Sequence, residues 1–451
     1  MREFTNRRNP ILPVEYHILD GEAHVFSDGK LYIYGSLDNR EDDYCSEKYH
    51  VVSSQDMEHW IIHEESFNSK DVPWYDDPEA TKYPGLDWMK PTPFIQKMLE
   101  KIMQEYQGDP NAAANAASIK KEPLLFAPDG IEKKGKYYLY FCMNDESEGV
   151  AVADRPEGPF CHPIQLPCGG IDPAIFIDDD GQSYYYWGQV YSHGVKLNSD
   201  MMTFEKEEVV HNLLTEEKHF FHEGSSMRKN GDTYYYVFAD IERGKPTSLG
   251  YATGDSPLGP FTYRGIIIDN AQCDPESWNN HGSIECVNGQ WYVFYHRSSR
   301  GTQQHRRLCI EPIKINEDGT IDEVKMTSQG AGEPFTPGES IMGYQACELK
   351  GAVYIDTDKS YGEKLTHISD GDEAVFRYVK SEKEYSAIEI TAAGTGMIEI
   401  LMNEESAGTI QIIDGKQKRS KICKLPGEYE VVLRFIQPEE LEVMKIKFIA
   451  K

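Results

Sequence analysis

The sequence predicts an all-β protein in which a five-bladed β-propeller is followed by a small β-sandwich. The main observation is a repeat: a turn glycine followed by a Tyr-rich, strand-forming run occurs at Gly29, Gly135, Gly181, Gly231 and Gly289. The last four glycines are 46, 50 and 58 residues apart, close to the roughly 40–50 residues of a four-stranded propeller blade. A second observation is the aromatic content of 12%, with 28 Tyr, which suits a β-rich fold.

Another repeat marks the strands that follow. Residues 150–160 and 251–261 share a pattern that ends in Gly-Pro-Phe, and residues 51–60 and 195–204 are looser copies. Each fits the third strand of a blade and the turn into the outermost strand. The first glycine gap is 106 residues, about one blade longer than expected, and we attribute the surplus to an insertion at about residues 64–122.

The insertion combines an irregular aromatic segment with a helix. Residues 71–93 place Trp74 and Trp88 among Pro, Gly and Asp residues, which is typical of a loop. Residues 92–103 start with Thr-Pro and continue with apolar residues at helical spacing, so a short amphipathic helix is predicted. Two interpretations of the tryptophans are open: they wall a sugar subsite, or they anchor the loop on the propeller.

A polar residue recurs at one register before the turn glycines. Asp20 and Asp172 lie nine residues before their glycines, and Glu223 and His281 lie eight residues before theirs. Because the first strand of every blade lines the central channel, equivalent positions converge at one mouth of that channel. Taken singly, each Asp also fits a turn and the His fits a packing residue. The shared register favours a functional site.

Convergent carboxylates are the equipment of glycoside hydrolysis. One neutral carboxylic acid protonates the leaving oxygen, and a second, ionised carboxylate activates a water or attacks the sugar. A third carboxylate nearby can raise the pKa of the acid and fix its orientation.

Six stretches of the sequence together resemble glycoside hydrolase family 43, a family of inverting β-xylosidases, α-L-arabinofuranosidases and arabinanases built on a five-bladed propeller. They are residues 9–13, 20–26, 127–130, 170–174, 223–224 and 281–283. The resemblance implies that Asp20 is the general base, Asp172 the pKa modulator and Glu223 the general acid. The resemblance also implies that His281 lies beside a central calcium or a water, and that the enzyme requires no other cofactor.

The same resemblance implies that one arginine, either Arg306 or Arg307, contacts the substrate. The residues expected to contact the substrate are Arg306, Arg307, Phe126, Trp187, Trp88 and His24. We expect an inverting exo-glycosidase that releases a terminal pentose, β-D-xylose or α-L-arabinofuranose, from plant-derived oligosaccharides. Two alternatives remain: a non-catalytic glycan-binding propeller, and a family 43 enzyme acting on galactose-containing glycans.

The overall composition restricts the partners. A net charge of −29 leaves nothing to neutralise phosphates, which excludes nucleic-acid binding. No stretch reaches the apolar length of a membrane span, and residues 1–8 carry no signal-peptide core, so we expect a cytoplasmic enzyme. The nine cysteines are scattered without a C-x-x-C pair, which indicates neither a disulfide framework nor a zinc site.

A Gly/Pro-rich linker near residue 335 divides the chain into a catalytic domain, residues 1–335, and an accessory domain, residues 340–451. The second domain alternates short strand-forming runs with turns, which predicts an antiparallel β-sandwich. In outline it resembles the family 6 carbohydrate-binding modules. All six Trp precede residue 335, so structural support or homo-oligomer contact is favoured for this domain over sugar binding.

Overall fold

The computed structural model describes residues 1–40, 44–75, 77–83, 93, 96, 97, 100, 122–358 and 362–451. Trp88 lies outside these residues, as does most of the helix predicted at 92–103. The four described positions of that stretch are helical and exposed. Among the described residues, no helix is long and apolar enough to cross a membrane.

The all-β prediction is confirmed, and the described part of the chain contains five antiparallel blade sheets. The strands of the first two blades are β1 (Arg2–Thr5), β2 (Ile18–Val25), β3 (Leu31–Leu37), β4 (Lys48–Ser54), β5 (His59–Asn68), β6 (Asp129–Lys133), β7 (Lys136–Cys142), β8 (Ser147–Ala153) and β9 (Cys161–Gly169). Those of the third and fourth are β10 (Ala174–Ile177), β11 (Ser183–Trp187), β12 (Tyr191–Lys196), β13 (Val210–Thr215), β14 (Phe221–Asn230), β15 (Thr233–Asp240), β16 (Ser248–Gly254) and β17 (Phe261–Asp269). Blade five consists of β18 (Ser283–Val287), β19 (Gln290–Arg297) and β20 (Arg307–Ile313).

The repeats fall where the sequence predicts them. Each turn glycine precedes the second strand of its blade, which is β3, β7, β11, β15 or β19. The second repeat covers the third strands β4, β8, β12 and β16. Besides the helical positions 93, 96, 97 and 100, the described helices are short: α1 (Glu216–His219) and three 3-10 turns, Ser69–Asp71, Lys206–Glu208 and Gly343–Gln345.

The Tyr-rich second strands tie each blade to the next one. In four of them a buried tyrosine hydroxyl donates to a backbone carbonyl in the following blade or the segment after it. The pairs are Tyr34 to Pro156, Tyr140 to Met201, Tyr186 to Pro257 and Tyr235 to Gly319, at 2.6–2.9 Å. A buried tyrosine needs a partner for its hydroxyl, and the Tyr-rich second strands of four successive blades each supply one such bond to the next blade or the segment after it.

The N-terminal segment closes the ring. The amide N–H of Ile11 donates to the carbonyl of Leu308 in β20 at 3.0 Å. The buried Asn9 side chain donates to the Ile310 carbonyl at 3.0 Å and accepts from the Ile310 N–H at 2.9 Å. Gly21 and Gly282 form a parallel bridge between the first and last blades. The chain start therefore occupies the edge that blade five leaves open.

The C-terminal domain is a β-sandwich formed by one folded sheet, which has nine strands among the described residues. The strands are β21 (Ser340–Met342), β22 (Glu348–Lys350), β23 (Tyr354–Asp358), β24 (Gly362–Thr366), β25 (Glu373–Ser381), β26 (Tyr385–Met402), β27 (Glu405–Ile412), β28 (Lys416–Lys424) and β29 (Gly427–Ala450). The long strands β26 and β29 pair with each other along most of their length, and several register shifts bend them. Bulges of this kind let a strand continue from one layer into the other.

The sandwich and the propeller share a hydrophobic core. In this core, side chains of the sandwich pack against strands of blades four and five. The sandwich contributes Cys347, Val375, Leu401 and Val432, and the propeller contributes Ile267, Tyr295 and Cys309 among others. Backbone bonds join the two domains as well, from Ser328 N–H to the Arg377 carbonyl and from Leu349 N–H to the Gln272 carbonyl, both at 2.7 Å.

Candidate active site

The four polar residues found by register lie together. Asp20 is in β2, Asp172 precedes β10, Glu223 is in β14 and His281 precedes β18. All four line one cavity of about 240 Å³. Residues up to 261 positions apart in the sequence therefore meet at the start of the innermost strands, as expected for a propeller.

Unusual backbone angles aim these side chains into the cavity. Asp20 and Asp172 both have left-handed backbone conformations, with φ of 54° and 55°, which Asp tolerates better than most residues. Gly224 follows the acid candidate with φ of 77°. A Cβ at Gly224 would lie 3.1 Å from the ring of His281, so only glycine lets these two innermost strands approach so closely.

Asp20 is held in its ionised form. Burial disfavours its charge, but the Arg306 guanidinium, 3.5 Å from Oδ1, and the imidazoles of His296 and His281 together lower the pKa of Asp20 below its usual range. The ring nitrogens Nδ1 of His296 and His281 lie 3.4 and 3.8 Å from Oδ1, and the Ser36 hydroxyl donates to Oδ2. A permanently ionised carboxylate can act as a base.

Asp172 has the opposite balance. Burial raises its pKa well above the usual range, and the negative charges of Glu223 and Asp20 raise it further. Its Oδ2 atom lies 3.7 Å from Nδ1 of His281. The Asp172 carboxyl therefore holds a proton more readily than an ordinary Asp does.

Glu223 is fixed by neighbours that the sequence did not reveal. Nε2 of Gln189 donates to its Oε2 at 2.5 Å. Nε2 of His222 lies 3.9 Å from the same oxygen, and Nδ1 of His222 is 2.9 Å from Oε1 of the buried Glu216 in α1. His222 could have been suspected from its adjacency to Glu223, whereas Gln189 and Glu216 carry no sequence signal.

The structure separates the two adjacent arginines. Arg306 lines the cavity, and its Nε and Nη2 atoms bind both carboxylate oxygens of the buried Asp38 at 2.9 and 3.0 Å. Arg307 begins β20 and points the other way, where it forms an ion pair with Glu363 of the sandwich. Consecutive residues of an extended chain face opposite sides. The prediction of a substrate contact is therefore wrong for Arg307.

Aromatic and amide side chains form the wall of the cavity. Phe126 lines it as predicted, together with Tyr44, Trp278 and Asn279. The Arg306 guanidinium lies 4.7 Å from the centre of the Tyr44 ring, a distance suited to a cation–π contact. None of these three further wall residues was singled out in the sequence.

The prediction that Trp187 contacts the substrate is also wrong. Its side chain is buried and packs between the rings of Tyr185 and Phe204, with centroid distances of 5.5 and 5.9 Å. A Cβ on Gly170 would lie 2.8 Å from this indole. Trp187 therefore supports the segment that leads to Asp172 from behind instead of facing the cavity.

A buried carboxyl supports the same segment. Glu148 accepts hydrogen bonds from the Tyr185 hydroxyl and the Cys168 thiol, and its Oε1 would lie 2.9 Å from a Cβ on Gly170. Burial raises the pKa of Glu148 to about 8. The carboxyl is therefore mainly neutral at pH 7.

His24 lies deeper in the channel and does not line the cavity. Its Nε2 is 2.7 Å from Oδ1 of the buried Asp129, and it neighbours Glu22, which pairs with the Arg228 guanidinium at 3.1 Å. The predicted substrate contact of His24 is therefore wrong. The side chain belongs to a buried polar network below the cavity.

The ligand set for a calcium ion is incomplete at His281. Calcium takes six to eight oxygen ligands. In the part of the chain that the structure describes, groups of three or more metal-ligating side chains are Glu22, His24 and Asp129, and Asp56, Glu58 and His59. Neither group contains His281, so the side chains around it do not form a calcium cage by themselves.

The chain is similar to known glycoside hydrolases. The sequence profile described as "Glycosyl hydrolases family 43" matches residues 104–321. A xylosidase/arabinosidase from Thermoclostridium stercorarium is 30% identical over 396 residues, which cover 78% of this chain and 74% of that protein. The solved structure of a family 43 β-xylosidase/α-arabinofuranosidase from a compost microbial metagenome, a calcium-free form in complex with xylotriose, is 28% identical with a TM-score of 0.54. It covers 72% of this chain and 99% of that one.

A further solved structure extends over both domains. A family 43 arabinoxylan arabinofuranohydrolase from Bacillus subtilis covers 98% of this chain and 97% of its own, with a TM-score of 0.51 and 21% identity. At that identity the likeness concerns the fold alone. The relative from Thermoclostridium stercorarium is 30% identical and is covered over 74% of its length, which shows the family: the chain belongs to glycoside hydrolase family 43.

Proposed function

We propose that this protein is an inverting, exo-acting glycosidase that releases a terminal pentose, β-D-xylose or α-L-arabinofuranose, from plant-derived oligosaccharides. The observation that carries the proposal is one cavity on which three carboxyl groups converge: Asp20, with a lowered pKa, Asp172, with a raised pKa, and Glu223. Separate base and acid groups on one sugar-sized cavity are the requirement of this chemistry.

The size of the cavity supports exo action. Its volume of about 240 Å³ is below the roughly 300–1,000 Å³ of pockets that hold drug-sized ligands. It therefore accepts a single sugar ring, and the remainder of the oligosaccharide extends outwards.

In the mechanism, Asp20 draws a proton from a water molecule that attacks the anomeric carbon. The ionised state of Asp20 is maintained by Arg306 and two imidazoles. Glu223, as the general acid, donates a proton to the leaving oxygen on the other face of the ring. Asp172 is the modulator: a carboxyl group next to an acid favours the protonated form of that acid. We expect Glu223 and Asp20 carboxyls to be separated by roughly 6.5–9.5 Å, which leaves room for the water.

The names of relatives support the choice of pentose. The relative from Thermoclostridium stercorarium is a xylosidase/arabinosidase, and the metagenomic enzyme was solved with xylotriose. Tyr44, Phe126 and Trp278 provide aromatic faces in the cavity wall, and such faces suit sugar rings. The choice between xylose and arabinofuranose depends on a few hydrogen bonds and is left to experiment.

The test is hydrolysis of p-nitrophenyl β-D-xylopyranoside, α-L-arabinofuranoside and β-D-galactoside by wild type, Glu223→Gln and Asp20→Asn. Glu208→Gln, at an exposed position, is the matched control. We expect cleavage of one or both pentosides that is lost in the two site variants and kept in the control. Preference for the galactoside would favour the galactose alternative, and full activity of Glu223→Gln would contradict the assignment of the acid.

Two further measurements separate the remaining alternatives. Proton NMR of the first-formed sugar should show the anomer opposite to that of the substrate, and retention would contradict the roles of Asp20 and Glu223. A glycan-binding propeller without catalysis would bind oligosaccharides and cleave none. The convergence of unlike residues on one cavity favours catalysis over that alternative.

We also propose that the protein works in the cytoplasm as a metal-independent enzyme. All nine cysteines are free, which suits a reducing compartment, and the carboxylates with Arg306 supply the acid, base and charge that hydrolysis needs. Cell fractionation tests the location: recovery of the protein outside the cytoplasm would contradict it. Homo-oligomer formation through the sandwich is a separate prediction, and analytical ultracentrifugation tests it.

A further inference from the structure

The C-terminal sandwich reaches the propeller beside the active site through the hairpin of β23 and β24. Glu363 in β24 has a fully buried side chain and forms an ion pair with Arg307 of β20. Its other oxygen lies 3.6 Å from Nε of Arg300. A carboxylate of the sandwich thus holds two arginines of blade five, in a place where an unpaired charge would be strongly disfavoured.

The same hairpin binds the backbone of the loop that joins β19 to β20, residues 298–306. The Arg300 N–H donates to the Ile355 carbonyl at 2.7 Å. Tyr354 packs against Gly301, where a Cβ would lie 3.2 Å from the ring. The Gly301 N–H also donates to Oδ2 of Asp274 at 3.0 Å. The loop is therefore fixed on the side that faces the sandwich.

The other side of this loop forms part of the cavity wall. The loop ends at Arg306, which contacts Asp20 and lines the cavity. Gln303, in the middle of the loop, accepts a hydrogen bond from the Tyr44 hydroxyl at 2.8 Å. This short segment thus contacts the sandwich on one side and places the guanidinium of Arg306 beside Asp20 on the other.

We propose that Glu363 is a positioning residue for catalysis: by holding Arg307 and Arg300 it fixes the 298–306 loop, and the loop keeps Arg306 on Asp20. The sandwich then contributes to the geometry of the active site, in addition to sharing a hydrophobic core with the propeller. The kinetic consequence rests on the proposed glycosidase function, whereas the order of the loop does not.

The test compares full-length wild type with Glu363→Gln and with the double variant Glu363→Gln/Arg307→Gln. The double variant removes both buried charges together and so remains informative if the single variant leaves Arg307 unpaired and does not fold. Glu389→Gln is the matched control, because Glu389 is a sandwich carboxylate whose partners, Arg419 and Gln417, lie within that domain. Thermal melts establish that each variant is folded.

The first readout is hydrogen–deuterium exchange of peptides that cover residues 298–306. We expect faster exchange there in both Glu363 variants and wild-type exchange in Glu389→Gln. The second readout is the pH profile of kcat/KM, where we expect a loss of about 10- to 100-fold and a shift of the acid limb to higher pH, since Arg306 no longer stays on Asp20.

A folded Glu363→Gln with wild-type loop exchange and an unchanged pH profile would overturn the proposal. Lower melting temperature with no local change in exchange would also overturn it, because that is the signature of a purely structural ion pair. If wild type cleaves no glycoside, the proposed function fails, and the exchange data alone still decide whether Glu363 orders the loop.

Discussion

Replacing Arg306 with Gln should move the acid limb of the pH–activity profile upwards. The guanidinium Nη1 lies 3.5 Å from Oδ1 of Asp20 and is the principal group that lowers the pKa of this buried carboxylate. At an effective dielectric constant of about 20, unit charges about 4 Å apart interact by about 4 kcal/mol, which corresponds to about 3 pKa units. Water entering the vacated space reduces this effect, so we expect a rise of about 1 to 3 units.

The direction follows from the proposed role of Asp20 as a base. Activity requires the ionised form, so kcat/KM falls as the pH drops through the pKa of Asp20 in the free enzyme. When Arg306 is removed, burial still raises that pKa and less positive charge opposes it. The acid limb therefore appears at higher pH. Any loss of substrate binding lowers the maximum of the profile but does not move its acid limb.

The assay measures kcat/KM with the preferred p-nitrophenyl pentoside from about pH 9 down to the lowest pH at which wild type and variants stay folded, because the pKa of Asp20 starts below the usual Asp range. Arg306→Lys is the matched control, since it keeps the positive charge and loses only the bidentate contact with Asp38. The double variant Asp38→Asn/Arg306→Gln avoids leaving Asp38 buried and unpaired, which would cost about 3–5 kcal/mol of stability. It should shift in the same direction, because Arg306 is the charge with the largest effect on the pKa of Asp20. An acid limb that stays at the wild-type position in folded Arg306→Gln would refute the reasoning.

Three other results are expected. Glu216→Gln loosens His222 beside Glu223, so kcat should fall by about 10- to 100-fold for poor leaving groups and much less for dinitrophenyl glycosides; equal losses for both would contradict a role in acid catalysis. Glu148 has a folded pKa of about 8, above the roughly 4.3 of the unfolded chain, so its contribution to stability is complete below about pH 4 and is lost as the pH rises towards 8. The advantage of Glu148→Gln over wild type in urea unfolding should therefore grow by up to about 1.4 kcal/mol per pH unit from about pH 5 to 8, and a constant difference would speak against it. Dialysis against a chelator should leave kcat/KM within about twofold, because the side chains around His281 form no calcium cage; a loss restored by calcium would reverse that view.

The propeller and the four cavity residues could be predicted because both depend on periodicity. A blade repeats the same turn glycine and Tyr-rich strand, so counting back from Gly181 or Gly231 gives the innermost strand without knowledge of the packing. The register then identifies Asp172 and Glu223 as neighbours in space. Their roles as modulator and acid remain predictions, which the variants above test.

The partners of these residues could not be predicted in the same way. Arg306 and Arg307 are adjacent and chemically alike, and only the direction of the strand decides which one meets Asp20 and which one meets Glu363. Trp187 is an aromatic residue close in sequence to a site segment, yet its side chain supports that segment from behind. Asp38 lies 268 positions from Arg306, and no local pattern marks a contact of that kind.

Unlike residues within a repeated scaffold give the carboxyl groups of one cavity different surroundings. Each of the five blades offers an equivalent position at the start of its innermost strand, so symmetry alone would place identical groups in similar surroundings. The surroundings differ instead: Arg306 and two imidazoles are close to Asp20, whereas Asp172 faces two carboxylates across the cavity. These fields move the pKa values of Asp20 and Asp172 in opposite directions, so one carboxyl of the cavity favours its ionised form and another favours its protonated form. Arg306, the charge with the largest lowering effect on the pKa of Asp20, lies in the loop before β20. Because the sandwich holds that loop, the domain without a catalytic group contributes to the difference between the two carboxyl groups.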